Sequence, residues 1–326
     1  MADGNHSEPP TVLVLRRSPT IALLEPIVSQ KFNLLKAWDS PLPQDQFLTT
    51  HARSVQALLS SVGGLPITAQ ILHLLPSLKF IATTSAGIDH VDSAECRRRG
   101  VAVANAAKAF AEDAADMAVG LFIDVMRKMS ASDRYVGDGL WATRGNYPLG
   151  SKIGGKKVGI VGLGNIGLEV AKRLEAFGCS VLYNSRSEKL SLSYQFYSNV
   201  CELATASDAL IICCALTEQT HHMINREVLS ALGREGVIIN VGRGAIIDEK
   251  EMVEYLVRGE IGGAGLDVFE NEPDVPKELY ALDNVVLSPH QAVATHEAIV
   301  ALGEVVTGNL EAFFSNKPLL SPAVIN

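Results

Sequence analysis

Short runs of β-branched and aliphatic residues alternate along this chain with longer segments of helical periodicity. Within the first part, strand-like runs lie at residues 12–15, 55–59, 80–83 and 101–104, and a helical segment at 68–75 ends before Pro76. This alternation is typical of an α/β protein built on parallel sheets. Four to five such strands predict a small doubly wound domain.

Residues 111–129 have a different pattern, in which polar residues occupy one narrow stripe of a helix and nearly all others are apolar. A helix this apolar is expected to be covered by more than the sheet of its own domain. We therefore predict a homodimer that forms through helix 111–129. The alternative is a helix wedged between two domains of one chain.

A glycine-spaced turn at mid-chain joins a β-branched run to an amphipathic segment at 168–177. The run Val158-Gly-Ile-Val-Gly-Leu-Gly-Asn-Ile-Gly167 has the spacing and the strand–turn–helix context of a dinucleotide-binding turn. Gly162 would permit the tight turn, Gly164 would let a pyrophosphate approach the backbone, and Gly167 would let helix pack on strand. The free N–H groups of the new helix would then face the phosphates. The predicted cofactor-binding residues of this turn are Gly162, Leu163, Gly164, Asn165, Ile166 and Gly167.

Six strand-like runs follow helix 111–129, at residues 158–161, 181–183, 210–213, 237–240, 264–267 and 285–287. They are enough for a complete dinucleotide-binding sheet. A final helix at 295–314 is expected to pack back on the first domain. The prediction is two doubly wound parallel-sheet domains: a Rossmann cofactor domain (106–289) inserted in a discontinuous flavodoxin-like substrate domain (11–105 and 290–326), after a disordered tail (1–10).

The second of these strands is followed by Asn184-Ser-Arg-Ser187, where an NAD-selecting Asp or Glu would be expected. An acid there binds the ribose hydroxyls and repels a 2′-phosphate. Arg186 instead offers a planar fork of donors, and Ser185 and Ser187 offer hydroxyls, to a phosphate dianion. We therefore predict that NADPH is preferred over NADH; the alternative is an exposed arginine in a polar loop.

The last three strands are each followed by a chemistry-bearing side chain: Arg243, Glu272 and His290. In open α/β sheets, ligands bind at the carboxyl ends of the strands. Arg243, flanked by glycines that would let a substrate approach, could bind a carboxylate. His290 could give a proton to a carbonyl oxygen, and Glu272 could orient that imidazole and favour its protonated form. Each alone would be a capping or surface residue; together they indicate a catalytic site.

The runs VGIVGLGNIG, INVGRGAIIDE, GGAGLDVFENEP and VVLSPH resemble those of the D-isomer-specific 2-hydroxyacid dehydrogenases, and in particular the plant NADPH-dependent glyoxylate, hydroxypyruvate and hydroxyphenylpyruvate reductases. The resemblance extends over essentially the whole chain after the N-terminal tail. It implies that Arg243, Glu272 and His290 are the catalytic residues, with His290 as the acid in the reduction.

The same resemblance implies further site residues. Val241 and Asp267 are expected to bind the cofactor, Asp267 through the nicotinamide carboxamide. The backbone N–H groups of Ala86 and Gly87 would bind the substrate carboxylate beside Arg243 and His290. Members of the family are usually dimeric through the long helix. Ala215, where the family often has proline, and Gln291, where small residues often follow the histidine, depart from the pattern and bear on substrate scope.

The predicted function is NADPH-dependent reduction of small 2-oxo acids to D-2-hydroxy acids, with glyoxylate, hydroxypyruvate and 4-hydroxyphenylpyruvate as candidate substrates. One alternative is a binding protein that senses NAD(P) and resembles a corepressor, because this fold also serves that role. Another is a formate- or phosphite-type dehydrogenase on the same scaffold.

Composition restricts the partners and the compartment. A formal net charge of -8 argues against nucleic acid or an anionic membrane as a partner. Five cysteines without metal-ligand spacing, two of them (Cys213 and Cys214) in a strand-like run, indicate reduced thiols. A polar start, short apolar runs and an ending unlike a peroxisomal signal leave the cytosol as the expected compartment.

No metal site is predicted. His221 and His222 are neighbours in sequence, and adjacent residues are not expected to share one face of a helix or strand as ligands. Both are therefore predicted to be surface residues.

Overall fold

The computed structural model describes residues 8–323 and residue 325. The chain divides into two compact units: the first runs up to Phe110 and resumes at Thr295, and the second is Ala111–Ala294. The predicted joins were at 105 and 289. Of the predicted tail at 1–10, residues 1–7 lie outside the described residues, and residues 8–10 are exposed and without regular secondary structure.

The first unit is a five-stranded parallel sheet with the order β2-β1-β3-β4-β5. Its strands are β1 (Thr11–Val14), β2 (Asn33–Lys36), β3 (Ala57–Ser60), β4 (Phe80–Thr83) and β5 (Ala102–Ala104). Its helices are α1 (Pro19–Val28), α2 (Gln44–His51), α3 (Ala69–Leu74), α4 (Ser93–Arg99) and, at the other end of the chain, α12 (His296–Phe314). This is the flavodoxin-like strand order.

Burial explains which strands of the first unit were predictable. The central strands β3 and β4 are buried at every position and are therefore continuous apolar runs. The edge strand β2 is only partly buried and was not predicted. Helix α12 packs on this sheet, because Phe313 stacks on Phe80 with ring centroids 5.0 Å apart.

The second unit is a seven-stranded parallel sheet with the order β12-β11-β10-β9-β6-β7-β8. Its strands are β6 (Lys157–Val161), β7 (Ser180–Asn184), β8 (Gln195–Phe196), β9 (Ala209–Ile212), β10 (Val237–Asn240), β11 (Gly263–Leu266) and β12 (Val285–Leu287). Its helices are α5 (Ala111–Arg127), α6 (Met129–Gly137), α7 (Leu140–Arg144), α8 (Asn165–Ala176), α9 (Val200–Thr205), α10 (Arg226–Leu232) and α11 (Glu249–Arg258). Counted from β6, the order is the Rossmann order with one strand added.

Two details of the second unit differ from the prediction. The prediction of six strands missed β8, because two residues at a sheet edge leave no periodic signal. Strand β9 ends at Ile212, so Cys213 and Cys214 follow it rather than lie in it. Burial raises the pKa of both thiols, that of Cys214 to about 12, so neither is a reactive thiolate at neutral pH.

The long helix is covered within its own chain. Helix α5 ends at Arg127, two residues before the predicted end at 129, because Lys128 is left-handed with φ 57°. Its apolar residues belong to a buried cluster with β6, β10 and α8. The sheet approaches so closely that a Cβ on Gly265 would lie 2.9 Å from the Cβ of Leu121. The inference that this helix needs a second subunit to cover it is therefore wrong.

No helix within the described residues is long and apolar enough to cross a membrane.

Candidate active site

The glycine turn follows β6 and leads directly into α8. Gly162 has φ 98°, and a Cβ there would lie 2.6 Å from the Cα of Cys214. A Cβ on Gly167 would lie 2.3 Å from the carbonyl oxygen of Gly162. Both positions therefore require glycine for the packing of the chain itself.

Gly164 differs from these two glycines, because a Cβ on it would meet no atom within 4 Å. The open space lies at the start of α8, where no side chain caps the helix N-terminus. An open backbone approach beside uncapped helix N–H groups fits a pyrophosphate. The side chain of Leu163 is buried in the core, so this residue could contact a dinucleotide only through its backbone.

The loop after β7 is closed by hydrogen bonds that leave its arginine outside. The buried hydroxyl of Tyr183 accepts a hydrogen bond from the N–H of Lys189 at 2.8 Å. Within the loop, the Ser185 hydroxyl donates to the carbonyl oxygen of Ser187 at 2.6 Å. Arg186 is exposed and forms no hydrogen bond with any residue that the structure describes. Its guanidinium and the side chain of Ser187, which is also exposed, are therefore accessible to a phosphate, whereas the Ser185 hydroxyl already donates within the loop.

The loop after β10 carries Arg243 and is organised by Asn240. The fully buried amide of Asn240 accepts the N–H of Gly242 at 3.0 Å and donates to the carbonyl oxygen of Arg243 at 2.9 Å. Nη1 of Arg243 donates to the carbonyl oxygen of Gly242 at 2.8 Å. Val241 is buried in the core cluster, so its side chain faces away from solvent.

The glycines that flank Arg243 serve the packing of two loops. A Cβ on Gly244 would lie 1.8 Å from the carbonyl carbon of Phe269, so the loop after β10 lies directly against the segment after β11. A Cβ on Gly242 would lie 3.0 Å from the carbonyl oxygen of Cys214. These glycines therefore make room for the neighbouring backbone, and the approach of a substrate past them stays a prediction.

Glu272 and His290 form a hydrogen-bonded pair, with Oε2 of Glu272 2.7 Å from Nδ1 of His290. Oε1 of Glu272 accepts the N–H of Phe269 at 3.1 Å. Because a carboxylate only accepts, Nδ1 of the imidazole carries the proton in this pair. The other ring nitrogen, Nε2, is left for a substrate. About a third of each side chain is exposed, at 33% for His290 and 34% for Glu272.

Electrostatics keep Glu272 ionised. Burial alone would raise its pKa, but the hydrogen bond and charge of His290, the N–H of Phe269 and the charge of Arg243 together lower the pKa of this carboxyl. The carboxylate is therefore present throughout the neutral range and can hold the imidazole in a fixed orientation.

Asp267 anchors the loop that carries His290. It follows β11, is 0% exposed, and its carboxylate accepts hydrogen bonds from Ser288 Oγ at 2.6 Å, from the N–H of Gln291 at 2.8 Å and from the N–H of Ala292 at 2.9 Å. The N–H of His290 donates to the carbonyl oxygen of Asp267 at 2.8 Å. The left-handed backbone of His290, φ 55°, is thus held on both sides.

In the first unit, the predicted substrate-binding residues lie in the loop after β4. The Ser85 hydroxyl donates to the carbonyl oxygen of Gly87 at 2.7 Å, and Nδ2 of Asn105 donates to the carbonyl oxygen of Ala86 at 3.1 Å. The N–H groups of Ala86 and Gly87 have no acceptor among residues 8–323. The loop therefore presents two adjacent donors.

The two adjacent histidines do share one face. His222 is left-handed, with φ 50°, and the rings of His221 and His222 stack with centroids 4.0 Å apart. The argument that neighbours in sequence cannot face the same way holds for regular helices and strands, and it is wrong for a left-handed turn.

Comparison with known families identifies the chain. The model of the D-isomer specific 2-hydroxyacid dehydrogenase, NAD binding domain, matches residues 119–292. The chain belongs to this family. The second unit is accordingly the nicotinamide-dinucleotide-binding domain of an oxidoreductase, and the glycine turn, the buried Asp267 and the Glu272–His290 pair all lie within the matched residues.

Relatives in this family match nearly the whole length of the chain. It is 54% identical to the glyoxylate/hydroxypyruvate reductase HPR3 of Arabidopsis thaliana over 98% of this chain and 99% of that protein. It is 46% identical to a hydroxyphenylpyruvate reductase of Plectranthus scutellarioides, over 95% and 98%. The crystal structure of the NADPH-dependent glyoxylate/hydroxypyruvate reductase SmGhrB from Sinorhizobium meliloti, in complex with NADP and malonate, matches with a TM-score of 0.88, 34% identity and 98% coverage of both chains.

The sequence did not predict that two residues of this dehydrogenase fold hold loops in place. Asn240 was not singled out, and Asp267 was singled out only for the cofactor. Both lie at the carboxyl ends of neighbouring strands, and that position was the available signal. Their partners are backbone groups of loops, which no residue pattern reveals.

We expect Asp267→Asn to destabilise the second unit and to displace His290. The asparagine NH2 group would face the hydroxyl and N–H donors that now bond to the carboxylate. A buried donor left without an acceptor lowers the free energy of unfolding by about 1–3 kcal/mol. The free energy of unfolding, measured in urea, should fall by that amount. Asp274→Asn is the matched control, because Asp274 is exposed in the same region. Equal stability of the two variants would contradict the anchoring role.

Proposed function

We propose that this chain is an NADPH-dependent reductase that converts small 2-oxo acids, such as glyoxylate, hydroxypyruvate and 4-hydroxyphenylpyruvate, into D-2-hydroxy acids. The observation that carries the proposal is the hydrogen bond between Glu272 and His290. These two residues follow strands of the same sheet whose other strands lead into the glycine turn and Arg243. A bound nicotinamide would supply the hydride that reaches the keto carbon.

His290 would act as the acid in this reaction. Because Nδ1 is engaged by Glu272, Nε2 is the atom that would protonate the developing alkoxide oxygen. The ionised Glu272 would stabilise the imidazolium before that transfer and fix the ring orientation. Arg243 would bind the substrate carboxylate through its guanidinium, whose planar fork suits a carboxylate. In the first unit, the adjacent N–H groups of Ala86 and Gly87 are donors of the kind that bind a carboxylate.

The phosphate of NADPH would be bound in the loop after β7. Arg186 is exposed without a partner in the described chain, and the hydroxyls of Ser185 and Ser187 lie beside it. Glu188, the acid nearest in this loop, follows the arginine by two residues and is exposed as well. Asp267 was expected to bind the nicotinamide carboxamide, but its carboxylate is 0% exposed and accepts three hydrogen bonds from the 288–292 segment, so we propose for it only the role of holding that segment.

Two other functions remain distinguishable from this one by a single assay. A binding protein that senses NAD(P) would bind NADPH and would leave 2-oxo acids unchanged. A formate- or phosphite-type dehydrogenase would oxidise those anions instead. Consumption of NADPH with hydroxypyruvate, glyoxylate or hydroxyphenylpyruvate, followed by absorbance, supports the reductase and excludes both others.

We expect His290→Ala to lower kcat for hydroxypyruvate by about 10²–10⁴-fold, because the positioned acid is lost. Binding of NADPH, followed by fluorescence titration, should remain close to that of the wild type. His73→Ala is the control, since His73 is an exposed histidine of the first unit that also pairs with a glutamate. Turnover close to wild type in His290→Ala would refute the proposed role.

We expect Arg186→Ala to raise KM for NADPH at least about tenfold, because a charge-assisted hydrogen bond to the 2′-phosphate is lost. KM for NADH should change little, since NADH has no such phosphate. Arg97→Ala, an exposed arginine of the first unit, is the matched control. Equal kcat/KM for the two cofactors in the wild type would defeat the assignment of the phosphate site.

The segment after α5 supports a homodimer. The apolar residues of α5 itself are buried within the chain, but the following segment exposes large apolar side chains, among them Met129, Val136, Trp141 at 60% and Leu149 at 93%. Large apolar side chains left exposed in one short segment are a feature of protein–protein contact surfaces. The partner surface would therefore be residues 129–149 rather than the buried face of the helix.

We expect size-exclusion chromatography with light scattering to give twice the 34.9 kDa mass of one chain. Trp141→Glu should shift the population toward the single-chain mass, because burying a charge at the contact is unfavourable. Val257→Glu, 55% exposed on α11, should leave the mass unchanged. A single-chain mass for the wild type at micromolar concentration would contradict the dimer.

The proposed compartment is the cytosol. The five cysteines are free, as is usual for proteins of a reducing compartment. A fluorescently tagged full-length chain found in an organelle would overturn this assignment.

A further inference from the structure

Three side chains outside the proposed catalytic machinery converge on one point of the second unit. His221, His222 and Glu270 each place a possible ligand atom so that all lie within 4.8 Å of one another. The proposed reduction uses none of them.

The backbone of two loops builds this cluster. After β9, the N–H of His221 donates to the carbonyl oxygen of Thr217 at 2.9 Å, and the N–H of His222 donates to the carbonyl oxygen of Ala245 at 2.9 Å. After β11, the N–H of Glu270 donates to Oε2 of Glu249 at 3.0 Å. The backbone N–H of each of the three residues is therefore hydrogen-bonded. The two histidines belong to one loop, and the glutamate belongs to another.

A strained backbone keeps the two imidazoles together. A left-handed conformation is unfavourable for a residue other than glycine, and His222 adopts it with φ 50°. The result is that the rings of His221 and His222 stack at an interplanar angle of 28° instead of pointing apart. Nε2 of His222 lies 2.9 Å from Oε1 of Glu270, so these two possible ligand atoms are near enough to share one ion.

The surroundings favour positive charge. Glu249 accepts the N–H of Glu270 at 3.0 Å, and Glu272 follows Glu270 by two residues, so three acidic residues are gathered here. A cation bound by Glu270 would offset their negative charge.

We propose that His221, His222 and Glu270 form a binding site for a divalent transition-metal ion, of which Zn²⁺ and Ni²⁺ are the best matched. Two imidazole nitrogens and one carboxylate oxygen are the donors these ions take in proteins, whereas Mg²⁺ and Ca²⁺ take oxygen ligands. His221 is exposed, so water would complete the coordination.

The site would join two loops of the second unit. The histidines belong to the turn after β9, and Glu270 lies two residues before Glu272. A bound ion would therefore hold the segment that carries Glu272 against the neighbouring loop. Since the ion would bind only the folded arrangement, it would raise the thermal stability of the protein.

Other histidine–carboxylate pairs of the chain lack the third donor. His73 lies 3.1 Å from Glu95, and His290 lies 2.7 Å from Glu272, each with a single imidazole. Within residues 8–323, the cluster at 221, 222 and 270 is the one group of three such donors that converges. These two pairs are matched controls, because they retain the same chemistry with one fewer nitrogen.

The first test is a Zn²⁺ titration of the tag-free, chelator-treated full-length protein by calorimetry. We expect one ion per chain and a rise in Tm with added Zn²⁺. His221→Ala, His222→Ala and Glu270→Gln should each weaken the affinity at least about tenfold, because one of three ligands is lost. His73→Ala and His290→Ala should bind as the wild type does. Circular dichroism would confirm that each variant is folded.

The second test identifies the ligands directly. With one equivalent of Cu²⁺, electron paramagnetic resonance should show coupling to two imidazole nitrogens in the wild type and to one in His221→Ala, whose side chain is exposed and whose removal leaves the fold intact. Wild-type affinity in both histidine variants would overturn the proposal. Loss of binding in His290→Ala would overturn it as well, because the ion would then lie at the catalytic pair.

Discussion

The buried carboxylate of Asp267 is the interaction on which the proposed catalytic arrangement depends. A carboxylate with no solvent exposure is costly to bury unless its oxygens are hydrogen-bonded, and here three donors of the 288–292 segment bond to it. That requirement fixes the loop, and the loop fixes His290 in a left-handed conformation that the residue would not adopt on its own. The end of β11 thereby determines where the acid at the end of β12 lies.

Parallel topology supplies the second constraint. Because every strand of the second unit runs the same way, the loops that follow β6, β7, β10, β11 and β12 lie at one edge of the sheet. Glycine then permits the loops to touch: Gly162 against Cys214, and Gly244 against Phe269. The close contact of the last pair places Arg243 near enough to Glu272 for its charge to lower the pKa of that carboxyl.

Two carboxylates separated by one residue serve two different imidazoles. Glu272 pairs with His290 in the catalytic arrangement, and Glu270 pairs with His222 in the proposed metal site. The same short segment after β11 therefore supports both, and its backbone is held by the N–H contacts of Phe269 and Glu270. Binding at Glu270 and orientation at Glu272 share this stretch of main chain.

The sequence alone determined the fold class, the positions of the buried strands, the family and the residues that could act in binding or catalysis. Buried parallel strands are continuous apolar runs, and a dinucleotide turn needs glycine at fixed spacing, so both leave a local signal. The partly exposed β2 and the two-residue β8 leave none, and they were missed. The tertiary structure alone decided what covers α5, why Gly244 is glycine, what Asp267 holds, and that His221 and His222 face one way. Each of these depends on contacts between segments far apart in the chain, or on one left-handed residue, and a one-dimensional pattern contains neither.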